Sequence, residues 1–273
     1  AQRFDWVIDL QSLARSGSIA WLANGKLTIG LDDHREGARC LFDIAIPRAN
    51  YHQHAADWYL ATLTRLGIPQ TSFNWLPPRP AALQSFRAKW PQDHFQWIVV
   101  QPGGRWLNKR WPVEYYTTLV RQLAAANPEA RFAITGSAED SPLSARIAEA
   151  APDRCMDLAG KLSLPEMIEW IRASTLMVTN DTGPMHVAAA LGKPLVAIFG
   201  PTEPTRTGPY GQLDSTVRTR LDCVPCMKSH CSRRDKPLEC LTSITPQRIA
   251  SLAQAHLDSL KRRARAHPAS PTA

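Results

Sequence analysis

Residues 175–199 read TLMVTNDTGPMHVAAALGKPLVAIF, and the fold follows from how that stretch divides. Residues 175–179 and 195–199 are short apolar runs, and 184–191 between them have helical character. The sequence therefore predicts strand, helix and strand. The same alternation extends on the N-terminal side, with strands expected at 96–101, 131–135 and 156–158 and helices at 113–126, 141–151 and 164–172. Short apolar runs separated by helical stretches argue for βαβ units and a parallel α/β sheet. In such a sheet ligands sit beyond the carboxyl ends of the strands, where loops lead into helices.

Further out the pattern is looser. Residues 4–10 read as a buried strand, 12–23 as a helix, 27–30 as a short strand and 55–66 as an amphipathic helix. Pro69, Pro77, Pro78 and Pro80 crowd residues 69–81, which are expected to link two domains. The expected division is residues 1–80, 81–262 with a last helix at 246–262, and a disordered tail at 263–273.

Four loops carry candidate chemistry. In the first, Asp181, Thr182 and Gly183 open a helix at Pro184, and either Asp181 or Thr182 can cap it. A helix N-terminus offers free N–H groups and partial positive charge, a seat for phosphate, with His186 about one turn in. The bland alternative is a capping Asp and a packed His. Asp-Thr-Gly is also an aspartic-protease signature, but that chemistry needs two carboxylates and the motif occurs here once. The second loop holds Gly103, Gly104, Lys109 and Arg110 after a strand; it lacks the Walker spacing yet could hold a diphosphate, or be a solvated turn. In the third, Gly136 precedes Glu139 and Asp140, and an acid there could accept bonds from ribose hydroxyls. In the fourth, Ser163 and Glu166 form a capping box and Leu162 could lie against a purine.

Among 273 residues, 44% are apolar and 21% charged, which fits a globular chain and excludes a disordered one. No apolar run approaches the roughly 18 residues of a membrane-spanning helix. The net charge is +8, and eleven Lys/Arg against four Asp/Glu between Arg218 and Arg265 hold most of it. Such a patch suits a phosphate-bearing partner or is simply a solvated face. With no leader visible at Ala1, a reducing cytoplasm is expected. Cys223, Cys226, Cys231 and Cys240 could bind a structural zinc; free thiols or a labile disulfide are the alternatives.

Four segments in order, PGG…NKRWP (102–112), TGSAED (135–140), LAGKLSL (158–164) and NDTGPMHVAAALGKPLVAIFGPTEP (180–204), resemble glycosyltransferase family 9, the heptosyltransferase group. The resemblance covers about residues 4–255. It implies a GT-B architecture, two Rossmann-like domains with the C-terminal helix crossing back to the first. It implies inverting transfer from ADP-heptose to a lipid A–core oligosaccharide, with no metal or other cofactor in the chemistry. Contact with the cytoplasmic face of the inner membrane goes with that acceptor. By the same resemblance Lys109 meets the donor diphosphate and stabilises the departing ADP. Thr182 and Gly183 bond phosphate, and Asp181 and His186 hold the sugar or its phosphate side. Leu162 packs on adenine, with Asp140 near the ribose.

The family's general base lies in a Gly-rich loop after its first strand, and nothing before Phe4 matches that loop. The expectation is an incomplete first domain and a chain that binds donor with little turnover; Asp9, on a strand end, reads as structural. The competing readings are another nucleotide-sugar donor, a dehydrogenase, and a basic nucleotide- or nucleic-acid-binding protein. The dehydrogenase lacks its GxGxxG, and nucleic-acid binding lacks a recognisable module, so no nucleic-acid partner is expected.

Overall fold

A computed structural model describes residues 4–33, 36–71, 76–90 and 95–266. The strands are β1 (Trp6–Asp9), β2 (Leu27–Asp32), β3 (Ile44–Pro47), β4 (Gln96–Gln101), β5 (Ala130–Ile134), β6 (Cys155–Asp157), β7 (Leu176–Asn180), β8 (Leu195–Phe199) and β9 (Thr216–Arg218). The helices are α1 (Ala14–Leu22), α2 (Ala55–Arg65), α3 (Pro80–Lys89), α4 (Val113–Ala126), α5 (Ser141–Ala148), α6 (Leu164–Ala173), α7 (Gly183–Ala190), α8 (Pro204–Thr207), α9 (Glu239–Thr242) and α10 (Pro246–Ala266). They fall into two compact units, residues 1–73 with 205–207, and 74–204 with 208–273.

The first unit is a three-stranded parallel sheet in the order β1-β2-β3. Ile29, Leu31, Ile46 and Trp58 make its core, and the Trp58 indole N–H donates to the Ile46 carbonyl at 3.0 Å. Asp9 ends β1 as a structural residue. One carboxylate oxygen accepts the backbone N–H of Gln11 (2.9 Å) and Ser12 (3.0 Å), and the other accepts the Ser16 hydroxyl at 2.8 Å. Those bonds fix the turn into α1.

The second unit is a six-stranded sheet in the order β6-β5-β4-β7-β8-β9, with every pairing parallel. Chain order runs outward from β4 to β6, then returns to β7 and runs outward the other way. Order therefore reverses between β4 and β7, and loops leaving the carboxyl ends of those two strands diverge to form a crevice. Both faces of the sheet are covered, which is why its strands read as continuous apolar runs. Ile98, Val100, Phe132, Ile134, Val178 and Ile198 face α4, α5 and α10, while Trp97, Val99, Ala133, Met177, Ala197 and Phe199 face α3, α6 and α7.

Two expectations are corrected. The proline-crowded stretch 69–81 ends in structure, because Pro80 occupies the first turn of α3, where a missing N–H costs nothing. Phe86 of α3 and Trp97 of β4 both meet the Trp170 ring edge-to-face, at centroid distances of 5.1 and 5.0 Å. The tail begins later than expected, since residues 263–266 complete α10 and the rest lies outside the described residues. That helix buries Ile249, Ala253 and Leu257 within the second unit's own core, packed on α4. No described helix is long and apolar enough to cross a membrane.

The expected capping box opens α6. The Ser163 N–H donates to Glu166 Oε2 at 2.9 Å and the Glu166 N–H returns to Ser163 Oγ at 3.4 Å. Glu166 also accepts from Lys89 Nζ (2.7 Å) and Ser85 Oγ (2.8 Å), so a single buried carboxylate ties α3 to α6. The Lys89 ammonium, then the Ser163 N–H and hydroxyl, lower its pKa from 4.5 to about 2. A depressed carboxylate stabilises the fold above its ordinary pKa and loses that contribution as pH falls through the folded value. We therefore expect unfolding free energy to drop between pH 4.5 and about 2. Glu166→Gln, read by urea denaturation at pH 7 and pH 3, should be weaker at pH 7 and flatter between the two. An unaltered pH slope would remove Glu166 from the account.

Candidate functional site

The crevice at the β4/β7 reversal opens into a cleft of about 570 Å³. Gly104, Arg105 and Arg110 line it from the loop after β4, and Gly136, Ser137, Glu139 and Asp140 from the loop after β5. Leu162, Leu164 and Met167 form an apolar wall, and Thr182, Gly183 and Pro184 close it at the start of α7.

Two loops meet at the crevice through charge. Lys109 Nζ lies 2.6 Å from Asp181 Oδ2, and the same oxygen accepts the Thr202 hydroxyl at 2.6 Å. Asp181 is 7% exposed, so this carboxylate depends on its partners: breaking a buried pair strands the remaining charge. Lys109 Nζ also stands 4.8 Å from the Trp106 ring centroid, which fixes the ammonium from a second side. Next to Asp181, Asn180 is fully buried. It donates to the Pro102 carbonyl at 2.6 Å and accepts the Trp111 N–H (3.1 Å) and Tyr116 hydroxyl (2.9 Å). Asn180 thus holds the β4 loop against the β7 loop.

The start of α7 is left open. Thr182 occupies the N-cap position, yet its side chain makes no capping bond, and neither does Asp181 fill that position. The Thr182 hydroxyl turns back to the Asn180 carbonyl at 3.4 Å and to Thr179 Oγ1 at 3.3 Å. Gly183 is exposed, and a Cβ built on it would meet nothing within 4 Å.

Asp140 lies in the wall of the cleft. Its carboxylate is buried and folded back: Oδ2 accepts the Ser137 N–H (2.9 Å) and hydroxyl (2.8 Å), while Oδ1 lies 3.4 Å from Arg110. Of the two acids the sequence offers in this loop, the one exposed in the cleft is Glu139. Gly103 and Gly136 are the surfaces Asp140 packs on. A Cβ on Gly103 would fall 2.2 Å from Asp140 Oδ2, and one on Gly136 would fall 2.8 Å from Asp140 Cβ. Gly103 is therefore buried under the cleft rather than lining it.

Of the expected site residues, Gly104, Gly136, Asp140, Leu162, Thr182 and Gly183 come together in the cleft, and Lys109 and Asp181 pair beside it. His186 does not join them: it is exposed on α7 and does not line the cleft. The four clustered cysteines are free thiols. Among the described residues no group of three or more His, Cys, Asp or Glu is placed to hold a metal. Burial first, then Cys231, Cys223 and Cys226 nearby, push the Cys240 thiol up to about 11, which keeps it protonated at neutral pH. Thr202, Arg105 and Met167 were missed because their meaning depends on partners far along the chain.

Topology and cleft together define a doubly wound α/β domain with an anion-suited crevice at its switch point. The chain belongs to glycosyltransferase family 9 (heptosyltransferase), whose family profile matches residues 1–236. Lipopolysaccharide heptosyltransferase 1 of Pseudomonas aeruginosa is 30% identical over 278 residues, covering 93% of this chain and 74% of that protein. Lipooligosaccharide heptosyltransferase 2 of Haemophilus influenzae is 40% identical over 114 residues, and there this chain spans only 32% of the relative's length. Among solved structures, E. coli ADP-heptose lps heptosyltransferase II shares the fold, with a TM-score of 0.73 at 24% identity over 94% of this chain and 77% of that one.

Proposed function

We propose that this chain carries the donor site of an inverting, metal-independent heptosyltransferase of GT-B architecture. It would bind ADP-heptose and serve transfer to a lipid A–core oligosaccharide at the cytoplasmic face of a membrane. The observation that carries the reading is the Lys109–Asp181 pair joined across the strand-order reversal, beside the uncapped opening of α7. In the reaction an acceptor hydroxyl oxygen bonds to the anomeric carbon as its proton passes to a general base, the bond from that carbon to the phosphate oxygen breaks, and ADP departs with the electron pair. Negative charge grows on the diphosphate as that bond breaks. Fixed donors aimed at developing charge are the strongest electrostatic aid a site of this kind can give. Lys109 supplies an ammonium, and Gly183 supplies a backbone N–H at the positive end of a helix. Asp181, held by Lys109 and Thr202, presents its carboxylate to the sugar. Leu162, Leu164 and Met167 suit the face of a purine, and Glu139 suits ribose hydroxyls. The basic surface between Arg218 and Arg265 suits a phosphorylated glycolipid.

Thermal-shift measurements with ADP, UDP, NAD and a short oligonucleotide test this. A ligand held at 100 times its dissociation constant adds about 2.7 kcal/mol of stability. ADP is expected to stabilise the chain and the oligonucleotide to leave it unchanged. Equal stabilisation by UDP would reassign the donor, and stabilisation by the oligonucleotide alone would overturn the reading.

A further inference from the structure

Lys109 is the third residue of a short turn, Leu107–Lys109, and the residue before it is tethered elsewhere. Asn108 is 5% exposed, and its side-chain N–H donates to the Lys228 carbonyl at 2.9 Å. Lys228 belongs to the cysteine-rich loop. One residue earlier the same loop is fastened again, its Met227 N–H donating to the Pro201 carbonyl at 2.9 Å. Residues 200–202 then lead to Thr202, whose hydroxyl holds Asp181. A Cβ on Gly200 would lie 3.0 Å from Leu241 and 3.3 Å from the Asn108 carbonyl oxygen, so the three segments are in close contact. The cysteine-rich loop therefore braces both arms of the Lys109–Asp181 pair, one through Asn108 and the other through Pro201 and Thr202.

The chemistry of Asn108 sharpens the point. Its Oδ1 is buried with no hydrogen-bond partner among the described atoms. A buried, unpaired amide oxygen opposes folding, so an apolar side chain would serve the core better. What the amide gives in return is one directed bond that sets where the turn, and hence Lys109, begins.

We propose that Asn108 is a positioning residue that aims Lys109 at the donor diphosphate by tethering the 107–109 turn to the cysteine-rich loop. This rests on the donor-site reading above. Loss of the tether leaves the ammonium present but misdirected, so binding of the phosphates suffers while binding of the nucleoside does not.

The test measures the affinities of ADP and adenosine by calorimetry for the unaltered chain, Asn108→Ala, Lys109→Ala and the double variant. Lys109→Ala is expected to cut the preference for ADP over adenosine by about tenfold or more, the size of one charge-assisted contact. Asn108→Ala should lower the same ratio several-fold with adenosine affinity unchanged, and the double variant should be no worse than Lys109→Ala, because coupled residues are not additive. Asn108→Asp keeps the shape and removes the donor, so it should follow Asn108→Ala. If Lys109→Ala collapses the ratio and both Asn108 variants preserve it, the positioning role is wrong and the site reading survives. If Lys109→Ala leaves the ratio intact, both fall.

Discussion

Replacing Lys109 with alanine is expected to remove most of the stabilisation that ADP confers and to lower turnover of a competent enzyme by about 10²–10³, the usual loss for one donor to developing charge. The same change should weaken the unliganded protein. Asp181 is 7% exposed and would keep only the Thr202 hydroxyl of its two side-chain partners. Removing one member of a buried pair typically costs about 3–5 kcal/mol because the other charge is left without compensation; Lys109 keeps 20% of its side chain in solvent, which puts the expected loss at the lower end. Pairing Lys109→Ala with Asp181→Asn separates the two effects. The double variant should recover much of the lost stability and none of the ADP response. Denaturant unfolding with and without ADP reads both quantities, and a fully retained ADP response in Lys109→Ala would overturn the assignment.

The second large effect is expected at a residue that no ligand needs to touch. Gly103→Ala would place a methyl carbon 2.2 Å from Asp140 Oδ2, well inside contact distance. Asp140 cannot easily retreat, since Ser137 holds the same oxygen through two bonds and Gly136 sits against its Cβ. Overpacking of this kind costs about 1–3 kcal/mol. Here it also displaces the loop that carries Glu139. We expect a lowered melting temperature together with weaker adenosine binding, measured on the same preparation. Gly183→Ala is the natural control, because no atom lies within 4 Å of the added carbon and the unliganded fold should melt as before.

The sheet of the second unit was legible because both of its faces are covered. Continuous apolar runs such as Gln96–Gln101 and Leu195–Phe199 are what a buried parallel strand requires, and those bounds match the observed strands. Helix α3 was not legible, because four prolines in a short stretch read as a break unless one of them is known to sit in a first turn. Strand β3 also went unread; its apolar signal is four residues long and ends in Pro47. In the site, the loops could be located but their wiring could not. Lys109 meets Asp181 across 72 residues, and Asn180 spans 64 to reach Tyr116. Only the fold creates such pairs. His186 shows the converse, since closeness in sequence to Gly183 does not bring it to the cleft.

The emptiness around Gly183 has a consequence of its own. Elsewhere in these loops a glycine is required by the chain itself, as at Gly103, where a neighbouring side chain already fills the space. At position 183 the polypeptide imposes no such demand, and any bulk added there would project toward solvent-filled room. The size of that one side chain can thus change at the edge of the cleft while the architecture behind it stays undisturbed.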